Sequence, residues 1–388
     1  MDSAQKKPKV LMTASVASMI DLFNMSNIDV LQSMGYEVHV AANFQSGNIT
    51  DQKRVDEFKA ELAARGIKVY DIPVPRNIFA FKKIAESDRM FRKIYTENQY
   101  RFVHCHSPIG GVLARLCARK VRKKQGTKMV YTAHGFHFFN GAPLHYWLFY
   151  FPIEWYCSFF TDVLITINHE DFRFAQKHLR AKKTTYVQGV GVDLLRFSEG
   201  TAALQTLRKE LGIPEDAFAV ITVGELSARK NQQVILKAIA ASNRNIHYIL
   251  VGFGQEEHYL RRLSEEFGIT DRVHFLGYRS DVADLYHAAD VFCFPSFHEG
   301  LSLSLMEAMA SGLSVLCSDI RGNRDLIVDK KGGFLYAPTD VSAFAEGLTI
   351  LVDDPSLRAR FGAFNAERIR DFSSEVIGEK MRGIYREL

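Results

Sequence analysis

Two glutamates stand eight positions apart in the stretch FHEGLSLSLMEAMASGLSVL, residues 297–316. On one continuous helix, Glu299 and Glu307 would lie about 12 Å apart along the axis and about 80° apart in direction. The residue pattern instead predicts Glu299 in a loop after a strand and Glu307 inside the following helix. The first turn of that helix, near residues 301–304, would direct backbone N–H groups and a positive dipole end at a ligand, which suits a phosphate. The alternative is a surface glutamate and an ordinary carboxylate near a helix start.

A pair of adjacent cations lies in the loop GELSARKN, residues 224–231, which follows a predicted buried strand. Arg229 and Lys230 at a strand end suit a diphosphate leaving group, because negative charge develops on that phosphate as the bond breaks. The alternative is a helix start with two solvated charges. The next predicted strand ends in GFG, residues 252–254, where glycine permits a close backbone approach to a ligand but also simply ends strands.

The two carboxylates suit sugar hydroxyls better than proton transfer. Glu307 is placed to accept hydrogen bonds from two neighbouring hydroxyls, as carboxylates do on ribose, and Glu299 is placed to do the same for a second ring. Their sequence positions alone do not establish an acid/base dyad. His134 follows a predicted strand and is a candidate functional imidazole, with an ordinary loop histidine as the alternative.

A metal site is not predicted. The chain contains no D-x-D, and its one His/Cys cluster is His104-Cys105-His106. That trio alternates along a strand, so its two histidines share one face. A metal ion would need more ligands than these two.

Length and composition indicate a two-domain globular protein. The 388 residues are 47% hydrophobic and 24% charged, and the net charge of +5 permits an anionic partner without requiring one. Five cysteines without a CxxC pair favour buried thiols in a reducing compartment over disulfides. The N-terminus lacks a signal-peptide pattern and no long uncharged apolar run is present, so we expect a cytoplasmic protein without a membrane span.

Short apolar runs alternate with helical stretches throughout both halves of the sequence. This alternation predicts an α/β protein with two doubly wound, mostly parallel sheets. The pattern breaks at residues 189–200, which we take as the linker. The expected domains are therefore residues 1–195 and 196–372, followed by a last helix at 373–388. Ligands bind beyond the carboxyl ends of such strands, so we expect the two domains to face each other across a cleft.

An aromatic segment, residues 136–160, follows a basic segment, residues 115–124. The aromatic segment fits either a core element or, together with the cations, a patch for an anionic membrane surface. No recognition motif supports nucleic-acid binding. The cations are Arg115, Arg119, Lys120, Arg122, Lys123 and Lys124.

Taken together, these residues resemble the retaining glycosyltransferases of family 4, which have the GT-B fold. The matching parts are the E-x7-E element, the GELSARKN loop, the GFG turn, and the segments HCHSPIGG and YTAHGFHFF. They cover nearly the whole chain, and their combination is specific although each is weak alone. Residues 131–156 are similar to bacterial enzymes that build exopolysaccharide, capsule or lipid-linked surface glycans.

The resemblance implies a role for each matching residue. Arg229 and Lys230 would bind the donor diphosphate and stabilise the departing nucleoside diphosphate. Glu307 would hold the ribose hydroxyls, Glu299 would contact the transferred sugar, and His134 would contact the same sugar from the N-terminal domain. Further donor contacts would come from Gly224, Gly252, the turn of Tyr278 and Arg279 around the base, and the backbone of Gly300, Leu301 and Ser302.

The family also implies an acceptor site after the first strand, where this chain reads TASVASMIDLFN. Met19 stands where a histidine is expected, and the acceptor would contact Ser18, Asp21 or Asn24. Such enzymes need no metal cofactor, which agrees with the missing D-x-D. Their final helix returns to the N-terminal domain. Retention would proceed by front-face attack, in which the donor phosphate takes the acceptor proton.

The sequence thus predicts a retaining, metal-independent hexosyltransferase. It would move a sugar from a nucleotide-sugar donor, most simply UDP-linked, to a polyprenyl-diphosphate-linked saccharide at the inner face of the cell membrane. The alternatives are a nucleotide-sugar epimerase or hydrolase of the same fold, and a non-catalytic nucleotide-sugar-binding scaffold at a membrane. A scaffold has no need of leaving-group cations. A dinucleotide oxidoreductase is disfavoured, because no G-x-G-x-x-G follows the first strand.

Overall fold

The computed structural model describes residues 7–48, 50–77, 79–198 and 204–388. It divides into two compact units, the N-terminal unit of Met1–Val190 with Glu375–Leu388 and the C-terminal unit of Gly191–Ser374. Residues 199 and 200 of the predicted linker lie outside the described residues.

The N-terminal unit is built from seven strands and nine helices among the described residues. Its strands are β1 (Lys9–Val16), β2 (Glu37–Asn43), β3 (Lys68–Asp71), β4 (Tyr100–His106), β5 (Lys128–Ala133), β6 (Val163–Thr166) and β7 (Lys183–Tyr186). Its helices are α1 (Ala17–Phe23), α2 (Met25–Ser33), α3 (Gln52–Ala64), α4 (Phe81–Glu97), α5 (Pro108–Cys117), α6 (Arg119–Gln125), α7 (Leu144–Ser158) and α8 (His169–His178), and the chain's last helix, Ser374–Arg386, joins them.

The seven strands form one parallel sheet in the order β3-β2-β1-β4-β5-β6-β7. Strands β1 and β4 are neighbours although β2 and β3 come between them in sequence, so the winding direction reverses there. The central strands β1, β4 and β5 are almost wholly buried, as expected for a parallel sheet covered by helices on both faces, whereas the edge strands β3 and β7 are partly exposed. One apolar cluster lies on each face of the sheet.

The last helix packs into the core of the N-terminal unit. Ile377, Met381, Ile384 and Tyr385 are buried at helical spacing along one face, the pattern of an amphipathic helix. The ring of Tyr385 stacks on Phe102 of β4 with 5.3 Å between centroids. This helix is therefore part of the N-terminal core, although it lies at the end of the chain.

The C-terminal unit repeats the same architecture with a six-stranded parallel sheet in the order β10-β9-β8-β11-β12-β13. The strands are β8 (Phe218–Val223), β9 (Ile246–Val251), β10 (Val273–Phe275), β11 (Val291–Phe294), β12 (Ser314–Ser318) and β13 (Gly333–Tyr336). The helices are α9 (Leu194–Ser198), α10 (Leu204–Glu210), α11 (Gln233–Ala241), α12 (Glu257–Glu266), α13 (Val282–Ala288), α14 (Leu303–Ala310), α15 (Arg321–Leu326), α16 (Val341–Asp353) and α17 (Pro355–Arg368), with 3₁₀ turns at Thr270–Arg272 and Ile369–Phe372; the N-terminal unit's last helix is α18 (Ser374–Arg386).

Two expectations about side chains and helices can be compared directly with these units. All five cysteines are buried and unpaired, as the sequence predicts. Within the described ranges, no helix has both the length and the apolar character needed to cross a membrane.

Candidate active site

The winding of the C-terminal sheet reverses between β8 and β11, and the loops after these two strands hold the predicted charges. Ligands of doubly wound sheets bind at this reversal, beyond the carboxyl ends of the strands. Here the carboxylate Oε1 of Glu299 lies 2.6 Å from Arg229 Nη1 and 2.8 Å from Lys230 Nζ. The structure therefore brings Glu299 into contact with two adjacent cations that lie about seventy positions earlier in the sequence.

Backbone hydrogen bonds hold the two loops against each other. Arg229 Nη1 donates to the carbonyl of His298 at 3.2 Å, and the carbonyl of Arg229 accepts from the N–H of Phe297 at 2.9 Å. Asn231 has a φ of +57°, and its amide donates to the carbonyl of Pro295 at 3.0 Å. Asn tolerates this left-handed conformation better than most residues, which lets the loop turn sharply after the two cations.

The cluster carries a net positive charge, because it contains two cations and one carboxylate. Burial lowers the pKa of Lys230, whose ammonium lies 4.4 Å from the centre of the Phe294 ring, and the charge of Glu299 opposes that shift. Burial alone would raise the pKa of Glu299, but the charges of Lys230 and Arg229 hold it below its ordinary value. Two cations thus share one carboxylate, and the surplus charge at a strand-end loop suits an anionic ligand.

The second glutamate lies on α14, which begins at Leu303 and not at Leu301 as expected. Ser302 is the N-cap, and its hydroxyl accepts from the N–H of Leu305 at 3.4 Å. Gly300, Leu301 and Ser302 therefore form the approach to the helix. One turn further on, the Oε2 of Glu307 accepts from the hydroxyl of Tyr286 at 3.1 Å, and burial raises the pKa of Glu307 to about 7.

Two residues that the sequence did not single out support these glutamates. Arg321 begins α15 and donates from Nε to the carbonyl of Glu299 at 3.1 Å, while a Cβ on its neighbour Gly322 would come within 2.4 Å of the carbonyl oxygen of Gly300. The hydroxyl of Tyr286 shares its one hydrogen between Glu307 and the carbonyl of Ser304, each at 3.1 Å. Position after a strand was an available signal for Arg321, whereas nothing in one sequence marks Tyr286.

The predicted donor-site glycines lie at the same edge of the sheet, with a packing role of their own. A Cβ on Gly252 would lie 2.0 Å from the carbonyl oxygen of Gly224, and a Cβ on Gly254 would lie 2.1 Å from that of Leu226. The glycines of the GFG turn are thus required by the neighbouring loop, whatever they do for a ligand. This close approach fixes where the cation-bearing loop begins.

The turn expected to frame a base follows β10. The N–H of Gly252 donates to the carbonyl of Gly277 at 2.7 Å, which places Tyr278 beside the ends of β8 and β9. Tyr278 is 56% exposed, so its ring is available for stacking. Arg279 is held by Asp281 at 2.7 Å from Nε to Oδ1.

In the N-terminal unit, His134 directly follows β5 and bonds to a second histidine. Its Nε2 lies 3.0 Å from Nδ1 of His106, whose own Nε2 lies 3.1 Å from the sulfur of Met12. Burial lowers the pKa of His134 to about 4 and drives that of His106 well below its ordinary value. Both imidazoles are therefore neutral at pH 7.

The thioether of Met12 determines how the protons are arranged. A thioether accepts a hydrogen bond but has no proton to give, so Nε2 of His106 carries the hydrogen. Its Nδ1 is then the acceptor, and the N–H that meets it belongs to Nε2 of His134. This assignment follows from the hydrogen-bond network. It leaves Nδ1 of His134 as an unprotonated acceptor.

The remaining histidine of the HCH trio is structural. His104 bonds to the hydroxyl of Tyr385 at 2.9 Å and to that of Thr132 at 2.8 Å, and burial lowers its pKa to about 3. In the part of the chain that the structure describes, no group of three or more His, Cys, Asp or Glu side chains has the arrangement of a metal site.

The predicted acceptor residues are engaged within the chain. Asp21 forms a two-pronged ion pair with Arg54, with Nη2–Oδ1 at 2.6 Å and Nε–Oδ2 at 2.9 Å. Asn24 is buried and donates to the carbonyl of Met19 at 3.0 Å. The buried Ser18 donates its backbone N–H to Oδ1 of Asn48 at 2.9 Å. Contact with an acceptor at Asp21 or Asn24 would require these bonds to be exchanged.

The basic segment 115–124 needs a correction. Arg115 is fully buried and forms a two-pronged ion pair with Glu154 of α7, at 2.8 and 3.0 Å. Arg122 is partly buried and paired with Asp162. An arginine enters the interior only when its charge is paired, and Glu154 supplies that partner. The exposed cations of the segment are Arg119, Lys120, Lys123 and Lys124.

The aromatic segment is partly core and partly surface. Phe136, Phe138 and Cys157 are buried, whereas one side of α7 is exposed over its whole length. We call that side the α7 stripe: Leu144, Leu148, Phe149, Trp155, Tyr156 and, at the C-cap, Phe159, all at least 40% exposed. These positions fall within about 140° of one another around the helix axis. Arg119 of α6 lies over the ring of Phe160 at 4.6 Å, so cations adjoin the stripe.

Comparison with known proteins agrees with this architecture. The chain matches the family models "Glycosyl transferase 4-like" over residues 9–168 and "Glycosyl transferases group 1" over residues 205–368. Among solved structures, HepE of Anabaena in complex with UDP is similar with a TM-score of 0.78, at 20% identity over 98% of this chain and 100% of that one. The two parallel-sheet units are therefore the Rossmann-like halves of a GT-B fold.

Two curated relatives span the whole chain. "Putative glycosyltransferase EpsD" of Bacillus subtilis (strain 168) is 37% identical over 97% of this chain and 96% of its own length. The "UDP-Gal:alpha-D-GlcNAc-diphosphoundecaprenol alpha-1,3-galactosyltransferase" of Escherichia coli is 25% identical over 99% of this chain and 98% of its own length. The chain belongs to the group 1, 4-like glycosyltransferases with a GT-B fold.

Proposed function

We propose that the enzyme is a retaining hexosyltransferase that works without a metal cofactor and uses a UDP-sugar donor and a polyprenyl-diphosphate-linked saccharide acceptor. The donor site is inferred from the Arg229–Lys230–Glu299 cluster, which lies where the winding of the C-terminal sheet reverses. UDP is supported by its presence in the HepE structure, and a lipid-linked acceptor by the Escherichia coli relative. Synthesis of exopolysaccharide or another surface glycan is the setting we infer.

In this proposal, protein groups compensate the charge of the donor diphosphate in place of a metal ion. The diphosphate takes up the surplus positive charge of Arg229 and Lys230, and the approach to α14 adds backbone N–H groups to the phosphates. These donors are fixed before the reaction by the loop bonds, so they stabilise the charge that develops on the leaving phosphate. The carboxylate of Glu307 accepts from the ribose hydroxyls, and Tyr278 stacks on the base.

The transfer step exchanges one C–O bond for another. The bond from the anomeric carbon to the donor phosphate breaks, and its electron pair stays on the phosphate oxygen. The acceptor hydroxyl forms the new bond from the same face and gives its proton to that oxygen, so no enzyme nucleophile is required. We assign Glu299 to hydroxyls of the transferred sugar, and we assign the unprotonated Nδ1 of His134 as a neutral acceptor for a sugar hydroxyl.

The first test compares two substitutions in the donor site. Arg229→Ala and Glu307→Ala should abolish transfer from UDP-sugars while circular dichroism shows an unchanged fold. Full activity in both variants would contradict the site. Incubation of the parent enzyme with donor alone separates the alternatives: epimer or free sugar formed at the transfer rate would indicate an epimerase or hydrolase.

We also propose that the protein attaches peripherally to the inner face of the cell membrane. The α7 stripe presents amphipathic aromatics beside the exposed cations of α6, the combination that binds the headgroup region of anionic bilayers. Lys123 and Lys124 should each contribute about 1 kcal/mol to binding, about fivefold in affinity.

Vesicles provide the test of attachment. The Trp147→Phe variant keeps Trp155 as its one tryptophan, and its emission should shift to the blue with phosphatidylglycerol vesicles at low salt but not with phosphatidylcholine vesicles. Lys123→Gln with Lys124→Gln should weaken binding about 25-fold, which is twice the binding free energy of one cation. Lys53→Gln on the exposed face of α3 is the matched control and should bind as the parent does. A stable dimer that Leu148→Ser dissociates would assign the stripe to a second copy instead.

A further inference from the structure

A pocket with a volume of about 250 Å³ lies between α4, α5 and α7 in the N-terminal unit. Ligand sites are concave and lined mainly by apolar side chains with a few polar groups, and this open pocket has that character. Its apolar wall is formed by Ile84, Ile109, Val112, Leu116, Phe149 and Ile153.

Glu154 and Tyr131, two of the polar residues that line the pocket, are engaged with each other and with Arg115. Glu154 accepts from both terminal nitrogens of Arg115, and the hydroxyl of Tyr131 donates to its Oε1 at 3.3 Å. The guanidinium of Arg115 also lies 3.9 Å from the centre of the Tyr131 ring. A polar ligand would find its best partners occupied, whereas a hydrocarbon would meet apolar atoms.

The pocket connects two features of the unit that bear on substrate. On one side Phe149 is 42% exposed and belongs to the α7 stripe, and it also lines the pocket. On another side the wall is formed by Gly135, Phe136 and His137, which directly follow His134. A chain that enters from the stripe therefore ends close to the imidazole that we assign to the sugar.

We propose that this pocket binds the isoprenyl segment nearest the diphosphate of the lipid-linked acceptor. The inference rests on the proposed function, because it takes the acceptor to be carried on a lipid. A site of 150 Å³ holds benzene, so 250 Å³ holds about ten carbons, or two isoprene units. A phospholipid of the bilayer has no reason to be held beside His134, whereas the acceptor's own lipid must bring its saccharide there.

Both tryptophans of the chain lie on α7, which makes a direct binding experiment possible. The ring of Trp147 packs 5.6 Å from that of Phe138, a residue that lines the pocket, whereas Trp155 lies on the exposed stripe. In the Trp155→Phe variant, Trp147 is the one reporter. Geranyl diphosphate, a ten-carbon isoprenyl probe, should change its emission with a saturable affinity. Each buried methylene should be worth about fourfold in affinity over inorganic diphosphate.

Substitutions in the pocket sharpen the experiment. Val112→Phe and Ile109→Phe, each in the Trp155→Phe background, fill the space and should weaken geranyl diphosphate at least tenfold. Leu195→Phe is the matched control on an exposed residue of the C-terminal unit and should leave binding unchanged. The urea unfolding of each variant, followed by Trp147, shows whether the unit still folds.

Three results would overturn the proposal. Inorganic diphosphate that binds as tightly as geranyl diphosphate would show headgroup binding only. Equal binding of decyl diphosphate, a linear chain with the same number of carbons, would assign the pocket to an acyl chain. Folded Val112→Phe and Ile109→Phe variants that bind like the parent would place the chain elsewhere. Titration of UDP into the same samples is independent of the pocket, so loss of UDP binding would count against the proposed function and not against this inference.

Discussion

The carboxyl edges of the two sheets have the same topology and opposite chemistry. In the C-terminal unit this edge carries the charged cluster Arg229–Lys230–Glu299 in strand-end loops. In the N-terminal unit it carries neutral imidazoles, and the nearby charge of Arg115 is enclosed by Glu154. The winding of a parallel sheet thus determines where a ligand binds, and the loops decide which ligand that is.

The difference follows from what each unit must stabilise. A diphosphate needs fixed cations, since it carries charge before transfer and gains more during it. A sugar and an isoprenyl chain carry no charge, so neutral acceptors and apolar walls suit them better. If this division is correct, removal of a buried cation should affect folding in the N-terminal unit and catalysis in the C-terminal unit.

Arg115→Met should have the largest effect on stability. It leaves the buried carboxylate of Glu154 without its partner, which should lower the free energy of unfolding by about 3–5 kcal/mol. Urea unfolding followed by tryptophan emission measures this unit, because both tryptophans lie on α7. Arg119→Met, which removes an exposed cation one turn further on, is the control and should change stability by less than about 1 kcal/mol. If both variants lowered the free energy of unfolding equally, the buried ion pair of Arg115 would be no more important to the fold than a surface charge.

Lys230→Met should have the converse effect. Glu299 keeps Arg229 as its partner, so the fold should persist, while transfer falls about 10²–10³-fold through loss of one cation from the leaving group. Steady-state kinetics with saturating donor measure the change. Arg244→Met disrupts a half-exposed ion pair with Asp353 in the same unit and should leave the rate unaltered. A Lys230→Met enzyme with normal turnover would mean that the cluster only holds the loop.

The parallel sheets could be predicted from the sequence because alternating apolar runs and helical stretches are local signals. The GT-B fold, implied by resemblance, is confirmed. The adjacent pair Arg229 and Lys230 and the strand-end position of Glu299 were also visible locally. Their mutual contact follows from topology, since the ends of β8 and β11 are neighbours in the sheet.

Other features of the site depend on contacts between distant positions. The burial of Arg115 could not be predicted from a run of basic residues, because its partner Glu154 is 39 positions away. The same is true of Tyr286 beside Glu307 and of Met12 beside His106. The GFG glycines had a local signal, and the structure adds a second reason for it, since the backbone of Gly224 approaches Gly252.

The ionised carboxylate of Glu307 should lower the stability of the fold and strengthen nucleotide binding, and Glu307→Gln tests both effects. The pKa of Glu307 is about 7 in the folded chain against 4.5 for the ordinary value. Between these pH values the Glu307 carboxyl is ionised in the unfolded chain but protonated in the folded chain. The free energy of unfolding therefore falls as pH rises, by about 3 kcal/mol once pH exceeds 7. The glutamine variant does not ionise, so calorimetry at pH 8 should show a higher unfolding free energy than in the parent.

The same substitution should remove a pH dependence of nucleotide binding. The ribose hydroxyls donate to the ionised carboxylate, so UDP affinity in the parent should rise about tenfold per pH unit up to pH 7 and then level off. UDP also titrates, but that contribution is shared by the parent and the Glu307→Gln variant. Calorimetric titrations from pH 5.5 to 8.5 give the difference between the two slopes. Identical slopes would exclude Glu307 as the ribose ligand.

The smallest expected effect concerns the proton arrangement of His134. Because Met12 can only accept, His106 presents Nδ1 to His134 and holds its hydrogen on Nε2. Nitrogen-15 shifts of the His134 ring should therefore show Nδ1 unprotonated from pH 5.5 upward, well above its pKa of about 4. His106→Phe removes the acceptor and should let both tautomers exchange, with a loss of about fivefold in kcat, the worth of one hydrogen bond. His104→Phe, which removes the other imidazole of β4 and leaves the His106–His134 bond in place, is the control for disruption of the same strand. A parent spectrum with the hydrogen on Nδ1 would reverse the assignment. Nδ1 of His134 would then donate a hydrogen bond to the sugar, whereas we expect it to accept one.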